Sequence, residues 1–552
     1  MPDALMSATL LLGLLIVAFA GLRLAALLLF FQQEEYDGRR FLHWVRRAGA
    51  RDRWTSLSAA VGLVLGFSPQ EWLQEIGLGV VVLGLAEGLR RSFFVLRRAK
   101  KPLKLTARAR RILGVAVLFA VAEIGGLGLA MFFFSPQPPV LAVMAGVMTV
   151  ILAQTAPWLL VAANTLLMPI ERRIQRRYRA EAVAKLAVVD PVIVGITGSF
   201  GKTSTKHILG HLLEGLGPAL ITPGSVNTEM GIVRIIRERL EPRHRFFIVE
   251  MGAYGEGSIA KLCRLTPPRL GILTAVGEAH YERFRNLKTV ARAKMELAQA
   301  VWTAGGALVA VVDGIADPGL RQDLLARRCG GRVVRVGSDA DCDWRLLEWR
   351  EDEDGLVVDL CTPAGEQMRW RLPLHGRHQA WNLLAAAAAA HELGMPPAAI
   401  AGALASLRPV AHRLAVTRSA AGVTVIDDAY NSNPEGFRSA LDLLDRLGRT
   451  QKGRRILLTP GMVELGDRHD EAHRALGRYA AGRVDVALLV RPERFPSFEE
   501  GLRAAAGERG PQIHHFVRQA AAESWLKTHA RAGDVVLIEN NLPDLHESPP
   551  RF

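Results

Sequence analysis

The sequence has only four cysteines in 552 residues, Cys263, Cys329, Cys342 and Cys361, and no two of them form a CxxC pair. That argues against a disulfide framework or a zinc knuckle and fits a reducing compartment. Charge is sparse as well. Charged residues make up 22% of the chain against 49% hydrophobic, and the mean hydropathy is +0.15. This balance excludes a disordered chain and is too apolar for an ordinary cytosolic enzyme. Between Ile124 and Ile170 there is no charged side chain at all. The first residues lack the basic n-region and small-residue cleavage site of a signal peptide. Residues 4–31, interrupted only by Arg23, therefore read as a retained anchor, long enough to cross a bilayer core of about 30 Å.

What is present is a net charge of +15, which invites a nucleic-acid partner until its location is considered. Six Arg fall in 33–53, ten Lys or Arg in 90–111 and five Arg in 171–180, against four, zero and one acidic residues. The rest of the chain is close to neutral. Each basic stretch borders apolar sequence, which is the pattern of membrane-flanking loops and not of a DNA-binding face. No nucleic-acid partner is expected. Further spans are expected at about 112–134 and 140–168, divided by Ser135-Pro136-Gln137-Pro138-Pro139, and at 54–70 and 72–89. The last two are shorter, and a shallow re-entrant hairpin is the alternative. With five crossings and the positive charge inside, the N-terminus lies outside and everything after Arg172 is cytoplasmic. This implies a multi-pass protein of a bacterial-type inner membrane, with membrane lipid as a partner. Glu123 is a carboxylate within a span.

From Pro191 onward the composition changes. Apolar β-branched runs alternate with helical patterns, as in a wound α/β domain. The strand Pro191–Ile196 runs into Thr197-Gly198-Ser199-Phe200-Gly201-Lys202-Thr203-Ser204-Thr205, with a helix expected over Lys206–Leu216. Glycines that turn backbone N–H groups inward, a helix N-terminus and a Lys-Thr pair form a phosphate cradle. Gly198, Ser199, Gly201, Lys202, Thr203 and Ser204 would hold the phosphates, and Thr203 can hold Mg²⁺. Phe246–Gly252 is a strand ending in the carboxylate Glu250, a usual metal-ligand position at a sheet edge. His375, His378, His391, His469 and His473 read as surface or packing residues. The run Ala385–Ala390 reads as a close-packed helix.

Taken in order, TGSFGKTS, TPGSVNTEMGI (222–232), VEMGAYGEGSI (249–259), AVGEAH (275–280), ARAKMEL (291–297), DDAYNSNP (427–434) and PGMVELGD (460–467) resemble the Mur ligases, ATP-dependent amide-bond-forming enzymes of peptidoglycan precursor synthesis. The match is to the branch that adds D-alanyl-D-alanine to a UDP-muramoyl tripeptide, and it covers about 185–540. The apolar runs give a membrane α-helical bundle (1–180), and the resemblance implies that it is followed by a P-loop Mur-ligase central ATP-binding domain (183–408) and a Rossmann-like C-terminal domain (409–552), hinged near Ser406–Val410. It implies ATP and Mg²⁺ as cofactors and a carboxylate and an amine as substrates. It also assigns roles. Lys202 would neutralise the β/γ-phosphates, Thr203 and Glu250 would hold one Mg²⁺, and His280 a second. Lys294 occupies the position of a lysine that can be carbamylated and so become a metal-binding anion. Asn382 and Arg413 would contact ATP, and Asp428, Tyr430, Asn431 and Asn433 would line the nucleotide.

Two departures from the family bear on the substrate. The family's small UDP-gripping domain is replaced by the apolar region, where 1–190 shows no βαβ or glycine-rich pattern. The Lys-Gly-Ser-Arg-like stretch after the last strand reads Glu539-Asn540-Asn541 here. The expectation is a membrane-anchored ligase of a cell-wall precursor or a related amino-acid-containing polymer, at least one of whose substrates is lipid-linked or delivered at the membrane. A poly-γ-glutamate-type polymerase is the alternative within the class, and a transporter or scaffold driven by an ATPase is the alternative outside it.

Overall fold

The computed structural model describes residues 2–132, 138–277, 286–352, 354–430, 432–463, 465–507 and 510–542. They form two compact units, 2–174 with Leu542, and 175–541.

The first unit is helical: Pro2–Gln33, Gly38–Arg47, Trp54–Gly66, Glu71–Arg98, Ala107–Phe132 and Pro138–Val189, the last continuing into the second unit. Among the described residues three stretches are long and apolar enough to cross a membrane: Leu11–Gln33, Glu71–Arg98 and Val143–Val189. The pair of spans expected over 54–89 takes an unequal form. Trp54–Gly66 has 13 residues, about 20 Å at 1.5 Å each, whereas Glu71–Arg98 has 28. Glycines let these two helices touch. A Cβ on Gly62 would lie 2.6 Å from the Gly77 carbonyl oxygen, and one on Gly77 would lie 2.8 Å from that of Gly62.

The basic stretch 33–53 is also not an open loop. Asp37 caps Gly38–Arg47 by accepting from Arg40 N at 3.0 Å. Phe41, Trp44 and Val45 fall on one helical face and are buried, Trp44 stacking on Phe30 with ring centroids 4.7 Å apart. The chain then brings Asp52 to Arg23, 2.6 Å away, with both side chains almost fully enclosed.

The second unit carries two sheets. The first contains β1 (Val192–Thr197), β2 (Ala219–Ile221), β3 (Phe246–Glu250), β4 (Leu270–Leu273), β5 (Ala307–Val311), β6 (Arg332–Gly337), β7 (Trp344–Asp352), β8 (Gly355–Cys361) and β9 (Gln367–Leu372). Their order is β2-β3-β1-β4-β5-β6-β7-β8-β9, parallel except for the β7–β8 and β8–β9 pairs. The unbroken apolar run of β3 is buried on both faces, as a strand sandwiched between helices must be. Val194, Ile196 and Ile248 pack with Ile208, Leu212 and the wholly buried Ala385–Ala390. Ile193, Phe247 and Val249 pack on the opposite face with Ile232, Ile236 and Leu297. Cys263 is buried there, its Sγ 3.7 Å from the Met251 sulfur, and burial pushes its thiol up to about 12.

The second sheet contains β10 (Ala415–Arg418), β11 (Thr424–Asp428), β12 (Arg455–Thr459), β13 (Val486–Val490), β14 (Gln512–Phe516) and β15 (Val535–Glu539). Their order is β10-β11-β15-β12-β13-β14, with only β10 antiparallel to its neighbour. In both sheets the loops after parallel strands gather at the carboxyl edge, where ligands bind in open α/β folds.

Candidate active site

The first site element is the turn from β1 into the helix Lys202–Leu213. The helix begins at Lys202, not at Lys206 as the sequence suggested. The reason is Gly201, which adopts φ +80° and turns the chain straight into the first helical residue. A side chain there would also collide with Asn382 Oδ1. Ser199 Oγ donates to Gly277 O and accepts from Gly277 N, both at 2.9 Å. Thr274 Oγ1 donates to Phe200 O. The loop is thus pinned to the segment after β4.

Register brings the carboxylate. Ile196 of β1 pairs with Glu250 of β3, so Glu250 stands beside the start of the phosphate loop. Its Oε2 accepts from Thr203 Oγ1 at 3.0 Å and from Lys206 Nζ at 2.9 Å. Asn227 Nδ2 reaches the other oxygen at 3.5 Å, and Tyr254 OH donates to Asn227 Oδ1 at 3.0 Å. Lys206, which also donates to Gly224 O, is fully buried. Sequence reasoning missed it, because a lysine one turn into a helix looks like a solvated surface residue.

Lys202 Nζ donates to Gly198 O at 2.7 Å. Burial lowers its basicity, Arg413 and Lys206 lower it further, and Glu250 opposes them. Lys294, on the helix Leu287–Thr303, is buried, and loss of solvation together with the charge of Lys202 puts its amine well below the ordinary lysine value. A neutral buried amine is the form that reacts with CO₂.

The second element comes from the C-terminal sheet. Arg413 lies with its guanidinium 4.2 Å from the centre of the Tyr430 ring. It is flanked by two non-glycine residues in the left-handed region, His412 at φ +61° and Leu414 at φ +49°. Each is held by an aspartate of β11: His412 Nδ1 meets Asp427 Oδ2 at 2.8 Å, and Leu414 N donates to Asp428 Oδ1 at 3.2 Å. Strained backbone on both sides of one arginine is a mark of a site held in place by its surroundings. Burial pushes the Asp428 carboxyl up to about 6, against the pull of Arg413 and the Leu414 amide. Glu539, at the end of β15 and paired in register with Asp428, is driven well above the usual range by burial and by Asp428. Its Oε1 accepts from Ser432 Oγ at 2.5 Å.

Other expected site residues have different surroundings. Asn382 is buried behind the loop, its Oδ1 accepting from Thr205 Oγ1 at 3.3 Å and its Nδ2 donating to Gln379 Oε1 at 2.9 Å. It shapes the cradle from behind. Asn433 caps the helix Pro434–Gln451, accepting from Gly436 N at 3.0 Å. Ser204 is buried on the first turn of its helix. His280 and Asn431 lie outside the described residues. Of the histidines read as packing or surface residues, His473 is enclosed, accepts from Met462 N at 3.0 Å, and burial takes it down to about 4, whereas His375 meets the buried Glu351 carboxylate at 3.0 Å.

These pieces fit Mg-ATP. Thr203 and Glu250 offer adjacent hard oxygens, and Mg²⁺ takes one or two carboxylates together with phosphate oxygens and water. The loop amides and Lys202 suit the phosphates. When bound, Mg-ATP supplies the phosphoryl group that turns a carboxylate into a reactive acyl phosphate.

Residues 196–390 match the Mur ligase middle domain, and residues 412–539 match the Mur ligase glutamate ligase domain. The UDP-N-acetylmuramoyl-tripeptide–D-alanyl-D-alanine ligase of Mycobacterium tuberculosis is 35% identical over 376 residues, 64% of this chain and 71% of that one. The enzyme of the same name from Bacillus subtilis is 26% identical over 377 residues, 67% of this chain and 79% of that one. Among solved structures, MurF ligase from Thermotoga maritima in complex with ADP aligns with a TM-score of 0.57 at 27% identity, over 68% of this chain and 82% of that one.

Proposed function

The chain belongs to the Mur ligase family, and on that premise we propose that it joins D-alanyl-D-alanine to a muramoyl tripeptide precursor while anchored in a membrane. It is an ADP-forming, ATP-dependent ligase that uses Mg²⁺. The observation that carries the reading is the convergence of Lys202, Thr203 and Glu250 on the phosphate loop, within a chain 35% identical to a ligase of that name. The relatives' name favours the D-alanyl-D-alanine reaction over a poly-γ-glutamate-type polymerase.

The residues divide the work. Lys202 and the loop amides offset phosphate charge, and Thr203 and Glu250 hold Mg²⁺. The second metal falls to His280 and to Lys294 in its carbamylated form. Arg413, Asp428, Tyr430 and Asn431 line the nucleotide, with Asn382 and Asn433 fixing the loop and helix on which it rests. Activating the carboxylate needs alignment and charge neutralisation more than a covalent partner, which agrees with a site built from a lysine, oxygen ligands and amides.

Membrane insertion is supported by the three long apolar helices and by large apolar side chains that stay exposed on the helical unit, among them Leu11, Leu14, Val64, Leu83 and Leu118. Glycine-to-backbone contacts such as Gly62–Gly77 are the packing that lipid favours. The catalytic unit then faces the cytoplasm by the placement of positive charge. Several spans exceed what tethering requires, which supports a substrate delivered at the membrane.

The test uses the full chain in phospholipid vesicles with Mg-ATP and D-alanyl-D-alanine. Turnover of a lipid-linked muramoyl tripeptide at least tenfold above that of the soluble UDP-linked form is the expected result. Equal turnover of both would remove the lipid-linked substrate and leave the ligase. No phosphate release with either would remove the ligase reaction.

A further inference from the structure

The helical unit contains a cavity of about 230 Å³ that the ligase reaction does not use. Arg23, Arg46, Arg51 and Gln154 supply its polar wall, and Leu27, Val45 and Ala153 are among its apolar lining. The arginines come from two elements. Arg23 lies on Pro2–Gln33, and Arg46 and Arg51 lie on and just after the short helix that folds back along it. Asp52 is the acid beside them, 2.6 Å from Arg23. Gln154 is held in place, since its Nε2 donates to Asp52 O and to Ser56 Oγ, both at 2.8 Å.

The cavity's depth follows from its neighbours. Trp158 lines it and Trp54 begins the next helix, and both are more than half exposed. Arg91 lies over the Trp54 ring, 5.5 Å from its centre. Exposed tryptophans alternating with arginines mark the level where lipid headgroups meet acyl chains. Residues 4–22 of the first helix, which precede Arg23, carry no charged side chain and are long enough to span. The cavity therefore opens at headgroup height, with the Arg23 charge met by Asp52, the exposed Arg46 and Arg51 in excess, and an apolar wall alongside.

We propose that this cavity binds the phosphate of a membrane lipid, with Arg46 and Arg51 on the phosphate oxygens and the lipid chain along Leu27, Val45 and Ala153. Arginine matches phosphate geometry, and basic pockets between spanning helices on the cytoplasmic side take anionic headgroups. A soluble phosphate would gain nothing from the apolar wall. This proposal rests on the membrane reading given above and deepens it by placing the lipid.

The experiment uses the full chain in neutral detergent and measures binding of dioleoyl phosphatidic acid, with inorganic phosphate as competitor. The expected result is saturable binding that millimolar inorganic phosphate does not displace. In Arg46→Gln/Arg51→Gln, whose changes lie at exposed positions, affinity should fall at least tenfold. In Arg172→Gln/Arg173→Gln, basic residues outside the cavity, it should stay within twofold. Unchanged affinity in the first variant, an equal loss in the second, or displacement by inorganic phosphate would each overturn the proposal. Turnover of soluble precursor and partition into the detergent phase are read on the same samples. Failure to partition would sink the membrane reading itself, whereas lost lipid binding with partition and turnover intact would sink the cavity alone.

Discussion

Arg23 and Asp52 meet at 2.6 Å in the helical unit, and Lys206 and Glu250 meet at 2.9 Å in the α/β unit, all four side chains nearly inaccessible to water. The two pairs are set differently. Arg23–Asp52 joins the first long helix to the segment entering Trp54–Gly66, among apolar side chains. The Glu250 oxygen that takes Lys206 also takes the hydroxyl of Thr203, at the mouth of a phosphate loop. A buried pair is costly to desolvate, and removing one partner costs more than removing both. In the helical unit the pair fixes which segments meet. At the loop, Lys206 and Thr203 fix one Glu250 oxygen in place and so aim the carboxylate at the phosphate loop.

The largest effect that separates structure from chemistry is expected at Lys202. Lys202→Ala should lower ATP-dependent turnover by roughly 10²–10³-fold, since it removes charge stabilisation of the transferring phosphoryl group. Thermal unfolding should move little, because the bond lost is that from Nζ to Gly198 O while a buried cation is removed with it. Steady-state phosphate release beside a melting curve checks both. Comparable turnover would remove Lys202 from the reaction.

Arg23→Met should do the reverse. It strands Asp52 and should cost about 3–5 kcal/mol of stability, while the folded fraction keeps its turnover. Arg23→Met/Asp52→Leu should recover most of that loss. A double variant no better than the single would show that the pair supplies more than mutual neutralisation.

Gly62→Ala is a smaller test of the same unit. Its methyl would press on the Gly77 carbonyl oxygen and on Val81. Overpacking of this kind costs about 1–3 kcal/mol, read as a lower melting temperature in detergent. A neutral result would mean that the helices separate freely.

The mildest effect is in pH. Asp428 is raised from 3.8 to about 6, so the folded chain holds this proton more tightly than the unfolded chain. Its contribution to stability is full below about pH 4, falls as pH rises from about 4 to 6, and is constant above. Subtracting the Asp428→Asn melting profile from that of the unmodified chain should leave this slope. Parallel profiles would place the charge of Asp428 in contact with solvent.

How much of this was readable beforehand depended on local pattern. The phosphate loop was legible because strand, glycines, Lys-Thr and helix are contiguous, and Glu250 because it ends an apolar run. The start of the helix was misplaced by four residues, since a left-handed Gly201 and an ordinary loop glycine look alike in a sequence. Lys206 was invisible because its partner lies 44 residues away. In 33–53 the six arginines hid Phe41, Trp44 and Val45, whose spacing makes an amphipathic helix. Asn433 was expected only at the nucleotide, and its bond to Gly436 N makes it the cap of the helix Pro434–Gln451.

The depth of Cys263 has a practical side for thiol chemistry. A sulfhydryl with a pKa near 12 is thiolate to only about one part in 10⁵ at neutral pH, and it is the thiolate that attacks a maleimide. Cys342 is likewise buried and pushed to about 12, and Cys329 is raised. Cys263 and Cys342 thus add little background to electrophile labelling. A cysteine introduced at any turn of the helical unit can be scored for inside or outside accessibility once the half-exposed Cys329 and Cys361 are replaced.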